Sequence, residues 1–437
     1  MLVLSPDAPK AARWTLLLRA LHSRNYRLFF AGQILSLIGT WMTSVATSWL
    51  VYRVTRSPFL LGLSGFASQI PMFFLAPVAG VLVDRWNRHR TLVITQTLSM
   101  LQSFTLAALA LSGVITISQI LALVLLQGVI NAFDMPARQA FVVQMIERRE
   151  DLGNAIALNS SMVNGARLVG PAIAGVVIGA FGEGYCFLID GFSYIAVIAS
   201  LLAMRVAPAV PRANPRRLGV EMREGWHYVR DSAPIRSVLL LLALISLVGM
   251  PYTVLMPIFA GPILHGDAHT LGSLMAASGL GALSGAITLA MRRSVLGLGR
   301  VIVWSSSLFG AALIAFGFSR LLALSLVLVA IAGFGMMRLM ASCNTIVQTI
   351  VAEDKRGRVM AYYSLAFQGV APFGSLAAGA IAARFGAPWT LLSGGILCLA
   401  GAALFAHKLP RLRHAMRPIY AELGILPPLP PSPETAS

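Results

Sequence analysis

The chain has 437 residues, of which 57% are hydrophobic and only 11% are charged, and its mean hydropathy is +0.77. A water-soluble globular protein of this size needs a more polar surface, so that class is excluded and an integral membrane protein is predicted. The formal net charge of +18 does not indicate a nucleic-acid partner, because the 34 Lys and Arg residues are spread along the short segments between apolar runs.

Twelve apolar segments follow one another along the chain. A helix that crosses roughly 30 Å of hydrocarbon needs about 20 apolar residues, and each segment approaches or exceeds this length. The predicted spans are 28–52, 59–83, 91–113, 117–136, 155–181, 185–204, 237–260, 271–291, 301–318, 321–345, 360–383 and 389–406. We therefore predict an all-α integral membrane protein with twelve transmembrane helices in two six-helix bundles.

The spans divide the chain into five predicted parts. The first half comprises a cytoplasmic N-terminal segment (1–24) and a six-helix bundle (25–206). A cytoplasmic linker (207–236) then leads to a second six-helix bundle (237–407) and a disordered cytoplasmic tail (408–437). Within the linker, Glu221–Arg230 is predicted to form a short amphipathic helix at the inner surface. The first apolar run is far longer than the core of a signal peptide, so the N-terminal segment is expected to stay on the protein.

The distribution of basic residues predicts the topology. If the N-terminus is cytoplasmic, 28 of the 34 Lys and Arg residues fall in inner segments and four in outer loops. This asymmetry follows the positive-inside rule and places both termini in the cytoplasm. Three cysteines, Cys186, Cys343 and Cys398, lie in apolar segments without metal-ligand spacing, so neither a disulfide nor a metal site is expected.

An internal repeat relates the two halves. Residues 141–182 align with 345–386 without a gap, so that Gln144 matches Gln348 and every pair is 204 positions apart. Two copies of one helical membrane unit are typical of transporters, which place the substrate site at the interface between repeats. The repeat therefore predicts pseudo-symmetric bundles and a transport function.

A charged motif follows the second span. From Gly80 to Arg90 the sequence is GVLVDRWNRHR, which resembles the G-x-x-x-D-R-x-G-R-R loop signature of the major facilitator superfamily. Asn87 replaces the glycine of the signature, and asparagine also tolerates the left-handed backbone of a tight turn. Together with Asp134, Asp190 and the Arg356-Gly357-Arg358 run, the motif resembles the branch that contains the enterobactin exporter and the macrolide-efflux proteins.

This resemblance covers about residues 25–406 and implies a proton-coupled drug antiporter with the major facilitator fold. It also implies an inner gate, in which Asp84 at a helix C-terminus, a position that disfavours an anion, meets Arg356 and Arg358. Arg85 and Arg88 belong to the same gate motif. The alternative is that this turn is solvated and only sets the topology.

Acidic residues inside the spans are candidates for coupling. Asp134 and Arg138 are four residues apart and can pair on one helical face, while the repeat aligns Asp134 with Arg338. They act in gating or coupling, or they form a static ion pair. Asp134 and Asp190 are the candidate protonation sites, although the glycine after Asp190 also permits a structural role in helix packing.

Span five contains Asn164, Gly165, Arg167, Gly170-Pro171 and Gly175, and it resembles the antiporter signature G-x-x-x-G-P-x-x-G-G with altered spacing. Glycines five residues apart are rotated by about 140°, so they are expected to thin the helix on two sides. Close packing and a moving hinge both fit this pattern.

If the family layout holds, the first, fourth, seventh and tenth spans line the cavity and span eleven adds an aromatic wall. Interhelical hydrogen bonds are an alternative role for each polar side chain in this set. The candidate cavity residues are Gln33, Ser36, Thr40, Thr43, Gln127, Asn131, Arg167, Tyr252, Arg338, Asn344, Tyr362, Phe367 and Gln368.

The sequence contains no G-x-x-x-x-G-K-[ST] motif and no H-E-x-x-H motif, so neither an ATPase nor an intramembrane hydrolase is expected. The predicted function is secondary active efflux of an amphiphilic small molecule, such as a drug or siderophore. The proton gradient is the energy source, no cofactor is expected, and the transporter is predicted to be a monomer in the lipid bilayer. A lysophospholipid or metabolite importer or flippase of the same fold, and a non-transporting membrane sensor, are the alternatives.

Overall fold

The computed structural model of the protein describes residues 18–206, 218–292 and 294–426. Within these ranges, helices long and apolar enough to cross a membrane account for all twelve predicted spans, so the predicted fold class is confirmed. The first six spans are α1 Arg24–Thr55, α2 Pro58–Arg85, α3 Arg88–Leu111, α4 Ile117–Met145, α5 Leu152–Phe181 and α6 Glu183–Leu202. The linker contains α7, Leu218–Asp231, where a short helix is predicted.

The last six spans contain eight helices, because two of the spans are interrupted. The helices are α8 Ala233–Val248, α9 Tyr252–Ile258, α10 Ala268–Ala290, α11 Leu298–Phe318, α12 Leu322–Ile350, α13 Arg356–Ser364, α14 Ala371–Phe385 and α15 Ala387–Glu422.

The interruptions lie in the seventh and eleventh spans. α8 and α9 are separated at Gly249 and Pro251, and α9 runs into a π-helical turn at Phe259–Ile263. A second π-helical turn, Leu365–Gly369, separates α13 from α14. Proline supplies no backbone donor, which favours a break at Pro251, and π-helical turns occur frequently at functional sites.

Local side-chain bonds define several helix starts. Thr116 and Gln119 form a reciprocal capping box at α4, with the Thr116 amide donating to Oε1 of Gln119 at 2.8 Å. At α3, Oδ1 of Asn87 accepts a hydrogen bond from the Arg90 amide at 3.1 Å. The φ angle of Asn87 is −70°, so this residue caps the helix rather than adopting the left-handed conformation considered from the sequence.

The chain forms two compact units. The described residues of Met1–Ala213 and Met256–Gly279 form the first unit, and those of Asn214–Leu255 and Leu280–Ser437 form the second. In the first, α1 packs on α5 and α6, while α3 packs on α4 and α6. In the second, α8 packs on α14 and α15, while α11 packs on α12 and α15. These pairings are equivalent under the internal repeat, as expected for two copies of one helical unit.

Met256–Gly279 belongs to the first unit, although the sequence places the second bundle from residue 237 onward. A Cβ atom at Gly272 of α10 would lie only 2.8 Å from Cα of Gly175 in α5. The two backbones therefore approach each other with no side chain between them, which only glycine permits.

The end of the chain differs from the prediction. Disorder is predicted from residue 408, whereas α15 continues through Pro410 and Pro418 as far as Glu422. An apolar face at helical spacing accounts for the extension. Its buried members are Leu409, Leu412, Met416 and Tyr420. The predicted disorder of 427–437 lies outside the described residues.

Candidate functional site

A polar stripe runs along the buried face of α3. Thr91, Thr95, Ser99 and Ser103 recur every four residues, and each is less than a tenth exposed. Residues four apart lie above one another on a helix, so the four hydroxyl groups share one face. None of these residues is among those predicted from the sequence, although the constant spacing of four is the signal that identifies them.

Asp134 of α4 lies beside this stripe near Thr95 and is 2% exposed. Thr95 Oγ1 and Gln96 Nε2 each donate a hydrogen bond to its Oδ1 at 2.8 Å. Arg138 binds the other oxygen, with Nε donating to Oδ2 at 3.1 Å and Nη2 also in contact. The pairing of Asp134 with Arg138 is confirmed, and its role in gating or coupling stays a prediction.

Asp190 of α6 lies at the Ser103 end of the stripe and is also 2% exposed. Two hydroxyl groups from neighbouring helices donate to its Oδ2, Thr43 Oγ1 at 2.9 Å and Ser103 Oγ at 2.8 Å. Its Oδ1 is buried and accepts no hydrogen bond, and no ion pair between described residues includes Asp190. This acid is therefore held by neutral donors alone.

Several predicted cavity residues lie between the two acids. Gln127 Nε2 donates to Ser99 Oγ and to Asn131 Oδ1, both at 3.1 Å. Thr40 Oγ1 is 3.5 Å from the hydroxyl of Tyr194 and donates to the carbonyl of Ser36 at 2.9 Å. These contacts form a polar network inside the first unit. Gln33 and Ser36 are buried in α1.

Replacing Gly39 of α1 by alanine is expected to separate α1 from α6. A Cβ atom there would lie 2.5 Å from Oδ1 of Asp190 and 2.8 Å from Oγ of Ser193. Overpacking of this kind costs about 1–3 kcal/mol, which thermal unfolding of the purified protein would reveal as a lower midpoint. The matched control is Gly165→Ala in α5, where the added Cβ meets no atom within 4 Å. An equal effect in both variants would contradict the expected contact.

The glycines of span five face two sides, as predicted. A Cβ atom at Gly170 would lie 2.5 Å from Cβ of Trp41 in α1, whereas one at Gly175 would lie 3.1 Å from the carbonyl oxygen of Ala268, beside α10. Arg167 lies near the middle of α5 with its guanidinium 5.0 Å from the centroid of the Trp41 ring. The positions of these glycines agree with close packing, and a hinge at Pro171 stays a prediction.

Predicted residues of the second unit lie in several places. Arg338 of α12 is half-buried, with its guanidinium 5.2 Å from the centre of the Phe334 ring. The Tyr252 ring is buried, and it packs edge-on against the Phe309 ring with 5.9 Å between the ring centroids. Oδ1 of Asn344 accepts a hydrogen bond from Gln348 Nε2 at 2.6 Å.

Two predicted residues of the π-helical turn Leu365–Gly369 are less enclosed. The carbonyl group of Phe367 accepts a hydrogen bond from the Ser246 hydroxyl, and its side chain is half-buried. Gln368 is exposed.

At the start of α13, two predicted residues contact the linker helix. Tyr362 Oη donates to the carbonyl of Met222 at 2.9 Å, so this ring packs on α7 rather than beside Phe367 and Gln368. Arg358 Nη1 lies 2.5 Å from Oε2 of Glu224. α7 thus binds one of the two arginines that the family resemblance assigns to the inner gate.

The positions of the other residues assigned to the inner gate do not show whether the gate forms. Arg356 is exposed and lies 4.0 Å from Glu353, Arg85 is exposed, and Arg88 is half-buried. The side chain of Asp84 lies outside the description, so its pairing stays a prediction. Among the described residues, no group of three or more His, Cys, Asp or Glu could hold a metal ion.

The chain is similar to bacterial transport proteins over most of its length. A family model described as transmembrane secretion effector matches residues 17–421. The chain is 25% identical over 391 residues to a staphyloferrin A transporter of Staphylococcus aureus, with 89% of this chain and 97% of that protein covered. It is 26% identical over 396 residues to the multidrug efflux pump Tap of Mycolicibacterium fortuitum, with coverage of 87% and 95%. Macrolide efflux protein A of Streptococcus pyogenes is 24% identical over 393 residues, with coverage of 86% and 95%.

Solved structures show the same fold at lower identity. The POT family transporter PepTSo superposes with a TM-score of 0.69 at 12% identity, covering 90% of this chain and 99% of that one. The nucleoside transporter NupG gives a TM-score of 0.65 at 14% identity, covering 88% and 98%. These two likenesses concern the fold alone, because one fold serves many substrates.

Proposed function

Because the chain belongs to the transmembrane secretion effector family of the major facilitator superfamily, we propose that it exports an amphiphilic small molecule in exchange for protons. Its relatives are bacterial transporters, and the twelve apolar helices among its described residues support a multi-pass protein of the bacterial inner membrane with a small-molecule substrate. Transport across that membrane, rather than covalent catalysis, is the activity of this family.

The environment of Asp190 is the observation that best supports the proposal of proton coupling. A carboxyl group inside a membrane protein that is held by hydroxyl donors, with no cation in an ion pair, is stable in the neutral form and can release its proton when its surroundings change. One of its oxygens accepts no hydrogen bond, which suits a carboxylic acid that carries a proton on one side. Asp134, by contrast, has an arginine bound to it, so the role proposed for this second acid is to hold α3 and α4 together.

Export and alternating access are supported by different features. The direction rests on relatives that are named efflux proteins. Two units with equivalent helix pairings suit a transporter that opens a central site to one side of the membrane at a time. The proposed transporter works as a monomer with cytoplasmic termini, needs no cofactor, and draws its energy from the proton gradient.

Inside-out membrane vesicles provide the test. A deletion strain grown across a compound panel would identify an amphiphile to label. Vesicles with an acidic interior should then accumulate that compound, because protons leaving the vesicle drive the compound inward. A protonophore should abolish the accumulation. Counterflow with a labelled lysophospholipid in place of the drug would instead support a flippase, and ligand binding without flux would support a sensor.

A further inference from the structure

Among the described residues of the second unit, Arg338 is the one charged residue deep inside a span. It lies near the middle of the 29-residue helix α12. Elsewhere in the described spans of this unit, charged side chains lie near helix ends or in the part of α15 beyond its apolar segment. Examples are Arg236 of α8, Arg300 of α11 and Arg384 of α14.

This cation has no compensating acid among the described residues. No ion pair includes it, and its buried Nε has no hydrogen-bond acceptor. A residue at the middle of a span lies about 15 Å from either edge of the hydrocarbon, which is beyond the reach of an arginine side chain. Placing an unpaired arginine there is unfavourable, so a partner is expected.

The internal repeat shows how this position differs from its counterpart. Arg338 aligns with Asp134, and Ser342 aligns with Arg138, which is the ion-pair partner of Asp134. The first unit therefore contains a neutralised pair where the second contains an arginine and a hydroxyl group. Ser342 is fully buried, and its Oγ also has no hydrogen-bond partner. Two unsatisfied donors thus lie one helical turn apart.

The chemistry of the guanidinium suits an anionic ligand. Its Cζ atom lies over the Phe334 ring, 5.2 Å from the ring centroid, and its N–H donors lie in the plane of the guanidinium group. Those donors form a fork that matches the two oxygens of a carboxylate or phosphate group. We infer, on the basis of the proposed transport function, that the substrate is an organic anion whose oxyanion group binds Arg338, with the Ser342 hydroxyl as a second donor.

Two probes with the same apolar body test this inference. 1-Pyrenebutyrate carries a carboxylate, and 1-pyrenebutanol carries a neutral hydroxyl group. Equilibrium dialysis of the full chain in nanodiscs, with protein-free nanodiscs as the blank, gives the dissociation constant of each. The wild-type protein should bind the carboxylate at least about tenfold more tightly, as expected for a charge-assisted pair in a site shielded from water.

Variants at Arg338 test whether the preference for the carboxylate probe depends on this residue. Arg338→Gln should abolish it, Arg338→Lys should retain part of it, and Arg384→Gln at the exposed end of α14 should leave it intact. Equal binding of both probes by the wild-type protein, or an undiminished preference in Arg338→Gln, would overturn the inference. Proton-driven transport of neutral or cationic compounds alone would also overturn it while leaving the proposed function standing, whereas absence of any proton-driven flux would reject the proposed function itself.

Discussion

Asp134→Ala is expected to destabilise the protein by about 3 kcal/mol, because it leaves the partly buried Arg138 guanidinium without its acid. In the structure Asp134 is 2% exposed and binds both Arg138 and the Thr95–Gln96 pair. The expected result is a large fall in the midpoint of thermal unfolding of the purified protein, together with a smaller folded fraction in the membrane.

Two comparison variants separate the pair from its surroundings. Thr95→Val removes one neutral donor and should cost only about 1 kcal/mol. Asp134→Leu combined with Arg138→Met removes both charges, and apolar replacement of a buried ion pair is often neutral or stabilising. If the double variant folds but no longer transports, the pair acts in gating or coupling. Normal transport by the double variant would identify a static ion pair, and an unchanged midpoint in Asp134→Ala would contradict the structural assignment.

Asp190→Asn is expected to abolish proton-driven accumulation while leaving the fold and energy-independent exchange intact. Asparagine preserves the shape of the side chain, and its amide oxygen can still accept from Thr43 and Ser103, but it cannot bind and release a proton. The measurement compares ΔpH-driven uptake into inside-out vesicles with exchange of labelled for unlabelled substrate at equal pH on both sides.

Ser103→Ala provides a graded control for Asp190→Asn. Removing one of the two donors to Oδ2 leaves the carboxyl group in place, so ΔpH-driven uptake should be retained. Undiminished ΔpH-driven uptake by Asp190→Asn would exclude Asp190 as the coupling site and would leave Asp134 as the other candidate.

The number of spans and the pairing of Asp134 with Arg138 could be predicted, because both depend on local rules. Apolar length determines whether a helix can cross the membrane, and a spacing of four residues places two side chains on one face. The two-sided arrangement of Gly170 and Gly175 followed from helix geometry in the same way.

Contacts between distant segments were harder to predict. The sequence places Tyr362 near a cavity, but the linker helix reaches it through a backbone carbonyl of Met222, a group that sequence patterns do not reveal. Membership of Met256–Gly279 in the first unit depends on the close approach of Gly175 and Gly272, which are 97 positions apart. The rotation of each helix about its axis determines such contacts, and apolar composition alone leaves that rotation open.

The extension of α15 beyond its apolar part is suited to contact the membrane surface. A helix of 36 residues is about 54 Å long, well beyond the roughly 30 Å of hydrocarbon. Its protruding end buries the row that includes Leu412 and Met416 and turns its basic side chains outward. These exposed cations are Lys408, Arg411, Arg413 and Arg417. Anionic lipid headgroups attract such a row of cations, so we expect this extension of α15 to oppose vertical displacement of the helix.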